Sequence, residues 1–176
     1  MRFSEDQSLF NIKLCREYID IARLEEFSPK KFDRIFLLLG AGGVGKTTLL
    51  HLLAGSNFKN ISDKEYKPEP IDIALLEFKV SSAMNFTTRL PMIYKGKLIN
   101  SEFEGDETYI IDMPAINASL TEEEEFARCH IINKVIEKAK KIYPIFLISN
   151  KSMGEKGTEL REQFRRLNKI IPEYDD

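Results

Sequence analysis

The sequence predicts a three-layer α/β domain built on a mostly parallel sheet, and three observations predict it. Short, almost unbroken apolar runs read as strands buried on both faces, helical apolar spacing fills the intervals between them, and a glycine-rich stretch, GAGGVGKTT at 40–48, stands where the first run gives way to a helix. A chain of 176 residues, 43% hydrophobic and 31% charged with a formal net charge of -2, has the composition of one soluble globular domain rather than two. An N-terminal helical segment, 1–30, precedes the main domain, 31–176. The charge balance lacks the basic excess of a nucleic-acid binder, so no nucleic-acid partner is expected. MRFSEDQSLF does not have the build of a signal peptide, and no apolar run approaches the roughly 18–20 residues of a membrane span. No transmembrane segment is expected, and the expected location is cytoplasmic.

Taken in order, Ser4 and Gln7 form a capping box, and Phe10, Leu14, Tyr18, Ile21 and Leu24 recur at helical spacing up to Ser28-Pro29. This predicts an amphipathic helix docked on the flank of the domain, since its polar face mixes both signs of charge. RIFLLL, 34–39, reads as a buried strand stopping at Gly40, and TTLLHLLA, 47–54, as a helix closed by Gly55. Residues 57–70, polar with two prolines, read as a loop. IDIALLEFKV, 71–80, is rich in strand formers, and PMIYKGKLIN, 91–100, reads as a hairpin turning at Lys95-Gly96. TYIID, 108–112, is another short buried strand. Residues 119–142 form the longest helix: Glu122 to Glu125 at its start and Lys134, Lys138, Lys140 and Lys141 near its end complement the helix dipole, so the acidic run reads as a helix start rather than a metal site. IFLIS, 145–149, is the third buried strand, and Thr158 opens a last helix carrying Leu160, Phe164, Leu167 and Ile170 on one face. Cys15 and Cys129 have no paired spacing and read as packing residues. His51 and His130 fall inside helical patterns and read as structural.

The stretch Gly40-Ala41-Gly42-Gly43-Val44-Gly45-Lys46-Thr47 satisfies the GxxxxGK[ST] pattern between a predicted strand and a predicted helix. Glycines let the backbone turn its N–H groups inward around an anion, and the helix that follows presents its positive end to the same phosphates. Lys46 is placed to reach the β and γ phosphates, the Thr47 hydroxyl to ligate Mg²⁺, and Thr48 completes the stretch. Such an ion also needs a carboxylate from the tip of a neighbouring strand, and Asp112, at the end of YIID, is the candidate.

These residues resemble the G domain of the GTPase-like P-loop superfamily, within the translation-factor-related class that includes septin-like proteins, over about Arg34 to Ile171. The resemblance implies a Mg²⁺-dependent nucleoside-triphosphate site, for GTP with ATP as the alternative, slow hydrolysis in a switch that addresses a protein effector, and, as in some relatives, pairing of two copies across the nucleotide. The family's Mg²⁺-side aspartate opens an Asp-x-x-Gly motif, which here reads Asp112-Met113-Pro114-Ala115, with alanine in place of the glycine. Its threonine that closes over Mg²⁺ corresponds to Thr87 or Thr88 of NFTTRLP, with Thr88 favoured by its place three residues before Pro91. Arg89 beside it reads as a surface arginine. Lys46 and Thr88 are thereby the catalytic candidates, and Thr47 and Asp112 the metal candidates. The guanine-reading motif Asn/Thr-Lys-x-Asp is met at Asn150 and Lys151, but Met153 stands where the aspartate belongs and Glu155 follows two residues late. The chain stops at Asp176, before the strand and helices that complete a G domain, which implies a truncated or reduced form. The stretch also resembles the phosphate loop of NB-ARC-type signalling ATPases, although Met113-Pro114 replaces their second acid; partition-type ATPases need a lysine at position 41, and nucleotide kinases an arginine-rich lid. A nucleotide-binding pseudo-GTPase scaffold is the non-enzymatic alternative.

Overall fold

The computed structural model describes residues 10–29, 33–62, 65–80, 88–99, 108–115 and 118–150, with Arg161, Phe164 and Arg165. Its centre is a sheet of four strands, β1 (Arg34–Gly40), β4 (Met92–Gly96), β5 (Thr108–Asp112) and β6 (Ile142–Leu147), in the spatial order β4-β5-β1-β6. Strands β5, β1 and β6 run parallel, and β4 adds an antiparallel edge. The domain is α/β with a mixed, mostly parallel sheet, as the alternation of apolar runs and helical spacing predicts.

Alternate residues of the strands feed two cores, as the two-residue period of a strand requires. Ile35, Leu37 and Leu39 of β1 join Tyr109 and Ile111 of β5 under α3 (Glu122–Lys138), whose Ile132 and Val135 complete that layer. Leu38 and Ile110 point to the other face, where Leu50 and Ala54 cover them from α2 (Lys46–Leu53) and its cap. Burial of β5 is complete along its length, which is why its sequence is apolar without alternation.

Helix α1 (Ile12–Ile21) starts at Asn11, whose side chain accepts a hydrogen bond from the Leu14 N–H at 3.1 Å; Ser4 and Gln7 lie outside the described residues. The helix docks on α3 as expected. The Asn11 N–H donates to Glu123 at 3.0 Å, and Lys138 donates to the carbonyls of Leu24 and Phe27 at 3.1 and 2.9 Å. Cys15 is buried in this contact, whereas Cys129 faces solvent on α3, so the packing role expected of Cys129 is not what it does. Helix α3 is shorter than the predicted 119–142 span. Thr121 caps it with a complete capping box to Glu124, and from Ile142 the chain is already paired with β1 as part of β6.

Three other expectations fail for identifiable reasons. Residues 57–70 are not a loop: β2 (Asn57–Ser62) and β3 (Glu65–Glu69) form an antiparallel two-stranded ribbon. Both of its strands are edges, so polar side chains and Pro68 are compatible with pairing. Residues 71–80 are not a strand but hold a 3-10 turn, Ile73–Glu77, in which Asp72 accepts from the Ala74 N–H at 2.9 Å. Leu75 within it and Phe78 at its C-cap, three residues apart, are buried, a spacing that suits a 3-10 turn rather than a strand. Lys95-Gly96 is not a hairpin turn, because β4 runs straight through it against β5. The glycine serves packing there: a Cβ at position 96 would lie 2.1 Å from the Tyr94 hydroxyl, which crosses it.

Arg161, Phe164 and Arg165 are helical, and Phe164 packs against Phe146 of β6 with ring centroids 5.0 Å apart; the rest of the predicted last helix lies outside the described residues. Among the described residues no helix is long and apolar enough to cross a membrane.

Candidate functional site

Parallel strands place the ends of β1, β5 and β6 at one edge of the sheet, the edge at which open α/β sheets bind ligands. Gly40 ends β1 opposite Leu147 of β6, and Asp112 ends β5 opposite Leu38 of β1. The chain between Gly40 and α2 turns through Gly43 and Gly45 at φ of 75° and 92°, values that side chains with a Cβ rarely adopt. Gly45 is the N-cap of α2, has no side-chain cap, and is followed by a first turn free of acidic residues. The leading N–H groups of such a helix, and the positive end of its dipole, are suited to an anion.

Four of the sequence-predicted residues converge on this end. The Thr47 hydroxyl, in the first turn of α2, donates to Asp112 Oδ2 at 2.6 Å. Thr88, four residues before the start of β4, brings its hydroxyl to 3.3 Å from the same oxygen and 3.4 Å from the Thr47 hydroxyl. Lys46 folds its Nζ over the loop, donating to the Gly40 and Ala41 carbonyls at 3.0 and 2.9 Å. Asp112 is fully buried and Lys46 is 7% exposed. Burial raises the Asp112 pKa against the opposing pull of the Thr47 hydrogen bond, the Lys46 charge and Thr88. Burial likewise lowers the Lys46 pKa, and Asp112 opposes it. Each charge thus supports the other in a site that would otherwise disfavour both.

Compared with protein-family models, curated proteins and solved structures, the chain finds no match. The geometry therefore carries the functional argument.

The donors present suit a hard cation. Asp112 Oδ1 is buried with no hydrogen-bond partner, while Oδ2 takes both threonine hydroxyls. Among the described residues no three His, Cys, Asp or Glu side chains gather into a cluster; the set is one carboxylate and two hydroxyls. Mg²⁺ is characteristically held by one or two carboxylates together with waters and substrate phosphates rather than by an all-protein cage. Thr47 and Asp112 are the residues that fit it.

The remaining predicted residues stand apart. Thr48 lies in the first turn of α2, and Ala41 is buried at the end of β1. Val44 and Gly42 are half-buried in the turn. Asn150 is exposed three residues past the end of β6, at the same sheet edge as the glycine turn but joined to none of these four residues by a described hydrogen bond. Thr87, Lys151, Met153 and Glu155 lie outside the described residues. The structure adds a partner for Arg89. Arg89, read as a surface arginine, makes a two-pronged ion pair with Glu124 of α3, through Nε to Oε1 and through the guanidinium to Oε2 at 2.6 Å. The T-x-x-E spacing of Thr121 and Glu124 was the available signal that Glu124 is fixed in place.

Proposed function

We propose that the chain is a P-loop NTPase of G-domain type, binding Mg²⁺ and a nucleoside triphosphate, GTP ahead of ATP, and hydrolysing it slowly as a switch. The observation that carries this reading is the meeting of Thr47, Thr88 and Asp112 within 3.4 Å of one another at the uncapped start of α2. In this reading the amides of the 40–48 turn and the first turn of α2 hold the phosphates, and Lys46 transfers its hydrogen bonds from the Gly40 and Ala41 carbonyls to phosphate oxygens. Thr47 and Asp112 hold the metal side, and Thr88 closes over it. Mg²⁺ supplies charge neutralisation to the phosphates in such sites, and the protein's part is chiefly positioning.

A second reading, nucleotide binding without turnover, is favoured by Arg89. Its guanidinium is bound to Glu124, not directed at the Thr47–Asp112 pair, so it does not stand ready to stabilise charge on a leaving phosphate.

Titration with fluorescent GTP and ATP, with Mg²⁺ and then with EDTA, tests the proposal. Lys46→Ala is expected to abolish triphosphate binding, and Thr47→Ala to remove mainly its Mg²⁺ dependence. If Lys46→Ala binds nucleotide as tightly as the parent chain, the proposal is wrong. GTP turnover above the Lys46→Ala background separates a switch from a scaffold.

A further inference from the structure

Thr88 is poorly held by the residues it faces. Its hydroxyl lies 3.3 Å from Asp112 Oδ2 and 3.4 Å from Thr47, at the long end of hydroxyl contacts, whereas Thr47 takes the short 2.6 Å bond to the same carboxylate oxygen. Something else must set its position. The next residue along the chain is Arg89, gripped at both carboxylate oxygens by Glu124.

The two ends of that pair differ. The Arg89 side chain is 52% exposed and the Glu124 side chain 5%. Exposed ion pairs are worth little, but a bidentate arginine on a buried carboxylate is among the stronger arrangements, because releasing the arginine leaves a charge without compensation. Nor can Glu124 follow Arg89 outward. Its Oε2 also accepts the Thr121 N–H at 2.9 Å, and its own N–H donates to the Thr121 hydroxyl, so its rotamer is tied to the cap of α3. One residue earlier, Glu123 accepts the Asn11 N–H from the start of α1. The segment carrying Thr88, the first turn of α3 and the start of α1 therefore meet at adjacent residues.

We propose that the Arg89–Glu124 pair is a latch that positions Thr88 against Thr47 and Asp112, so that the closed state of this segment depends on the first turn of α3. Arg89 and Glu124 are positioning residues: neither faces the Thr47–Asp112 pair, and both act through Thr88. The functional output of the latch rests on the nucleotide reading above; the latch itself does not. Opening it would withdraw Thr88 while leaving Lys46, Thr47 and Asp112 in place, a loss felt by the triphosphate and not by the diphosphate.

Glu124→Gln is the appropriate variant, because glutamine retains the capping-box acceptor and removes only the charge that holds Arg89. Arg89→Ala removes the other half. Hydrogen exchange of the nucleotide-free protein should speed up by about tenfold or more in peptides covering 88–92 for either variant, with the α3 amides unchanged. Affinity for a non-hydrolysable GTP analogue should fall about tenfold while GDP affinity stays put, as expected if the latched state drops to roughly a tenth of the population. The double variant should behave like either single one, since a latch can be opened only once. Unchanged exchange at 88–92 in both variants overturns the proposal, as do additive effects in the double variant or equal losses for GTP analogue and GDP. If the parent chain binds neither nucleotide, the proposed function fails, and the exchange experiment still decides the latch on its own.

Discussion

Gly40→Ala should be among the most damaging small changes available in this chain, and the reason is local and measurable. Gly40 has a φ of 152°, and a Cβ built on it would lie 2.5 Å from the Leu147 carbonyl oxygen and 2.9 Å from Val44 Cγ2. A backbone oxygen of a paired strand cannot rotate away as the end of a side chain can. The strained backbone costs about 1–3 kcal/mol, the overpacking about 1–3 kcal/mol more, and the stiffer unfolded chain returns about 0.4–1 kcal/mol. A net loss near 3 kcal/mol corresponds to a fall in Tm of about 6–12 °C for a chain of this size. Gly43→Ala is the control. Its φ of 75° carries a similar backbone penalty, but nothing lies within 4 Å of the added methyl, so about 1 kcal/mol and about 2–4 °C are expected. Thermal unfolding of the two variants beside the parent chain measures the difference directly. If Gly40→Ala melts no lower than Gly43→Ala, the close contact of β1 with β6 does not constrain this turn, and the reasoning from it fails.

Other outcomes follow from buried polar groups. His51, 1% exposed, bridges the Ser56 hydroxyl at 3.0 Å and the Phe78 carbonyl at 2.7 Å, so His51→Ala should cost about 3 kcal/mol in urea unfolding through lost packing and stranded partners, with no change in the triphosphate-to-diphosphate preference. Glu124 has its pKa lowered, first by the Arg89 hydrogen bonds; its contribution to stability is therefore full above the unfolded-state value and is lost as pH falls through the lower folded value. Acid unfolding of Glu124→Gln should lack that portion of the pH dependence, and parallel profiles for parent and variant would contradict the assignment. Tyr94 is pushed up to about 12, mainly by burial and then by Asp72, so it favours folding below its unfolded pKa and ceases to do so as pH rises towards the folded one. Tyr94→Phe should be less sensitive to alkali over that window, as followed by circular dichroism against pH.

Much of the arrangement was legible in the sequence because burial on both faces leaves an unmistakable trace. RIFLLL and TYIID could hardly be anything but central strands, and GAGGVGKTT announced the turn between strand and helix. Asp112 and Thr47 were readable as a pair for the same reason: Asp112 closes β5 and Thr47 lies in the first turn of α2, and both element ends are marked. The failures lie where local composition and tertiary context diverge. IALLE contains strand formers, yet Asp72 caps it into a 3-10 turn, with Leu75 within it and Phe78 at its C-cap buried three residues apart. The ribbon of β2 and β3 has almost no apolar face to advertise it. Lys95-Gly96 imitates a turn because the room made for the Tyr94 ring cannot be seen in a string of letters. Arg89 is the surface arginine its place suggests, but its partner Glu124 lies 35 residues on and only the folded chain brings the two together.

The clamping of α1 along α3 also dictates an order of events. The bonds of the α1 cap, Asn11, and of the turn after the helix, Leu24 and Phe27, reach partners 111 to 114 residues away in sequence, at both ends of α3. Contacts of such long separation form only after the intervening chain has been drawn together, because loop closure must come first. During synthesis α1 is therefore made well before its partner α3, and its apolar side waits unprotected until the chain has been extended through Lys138.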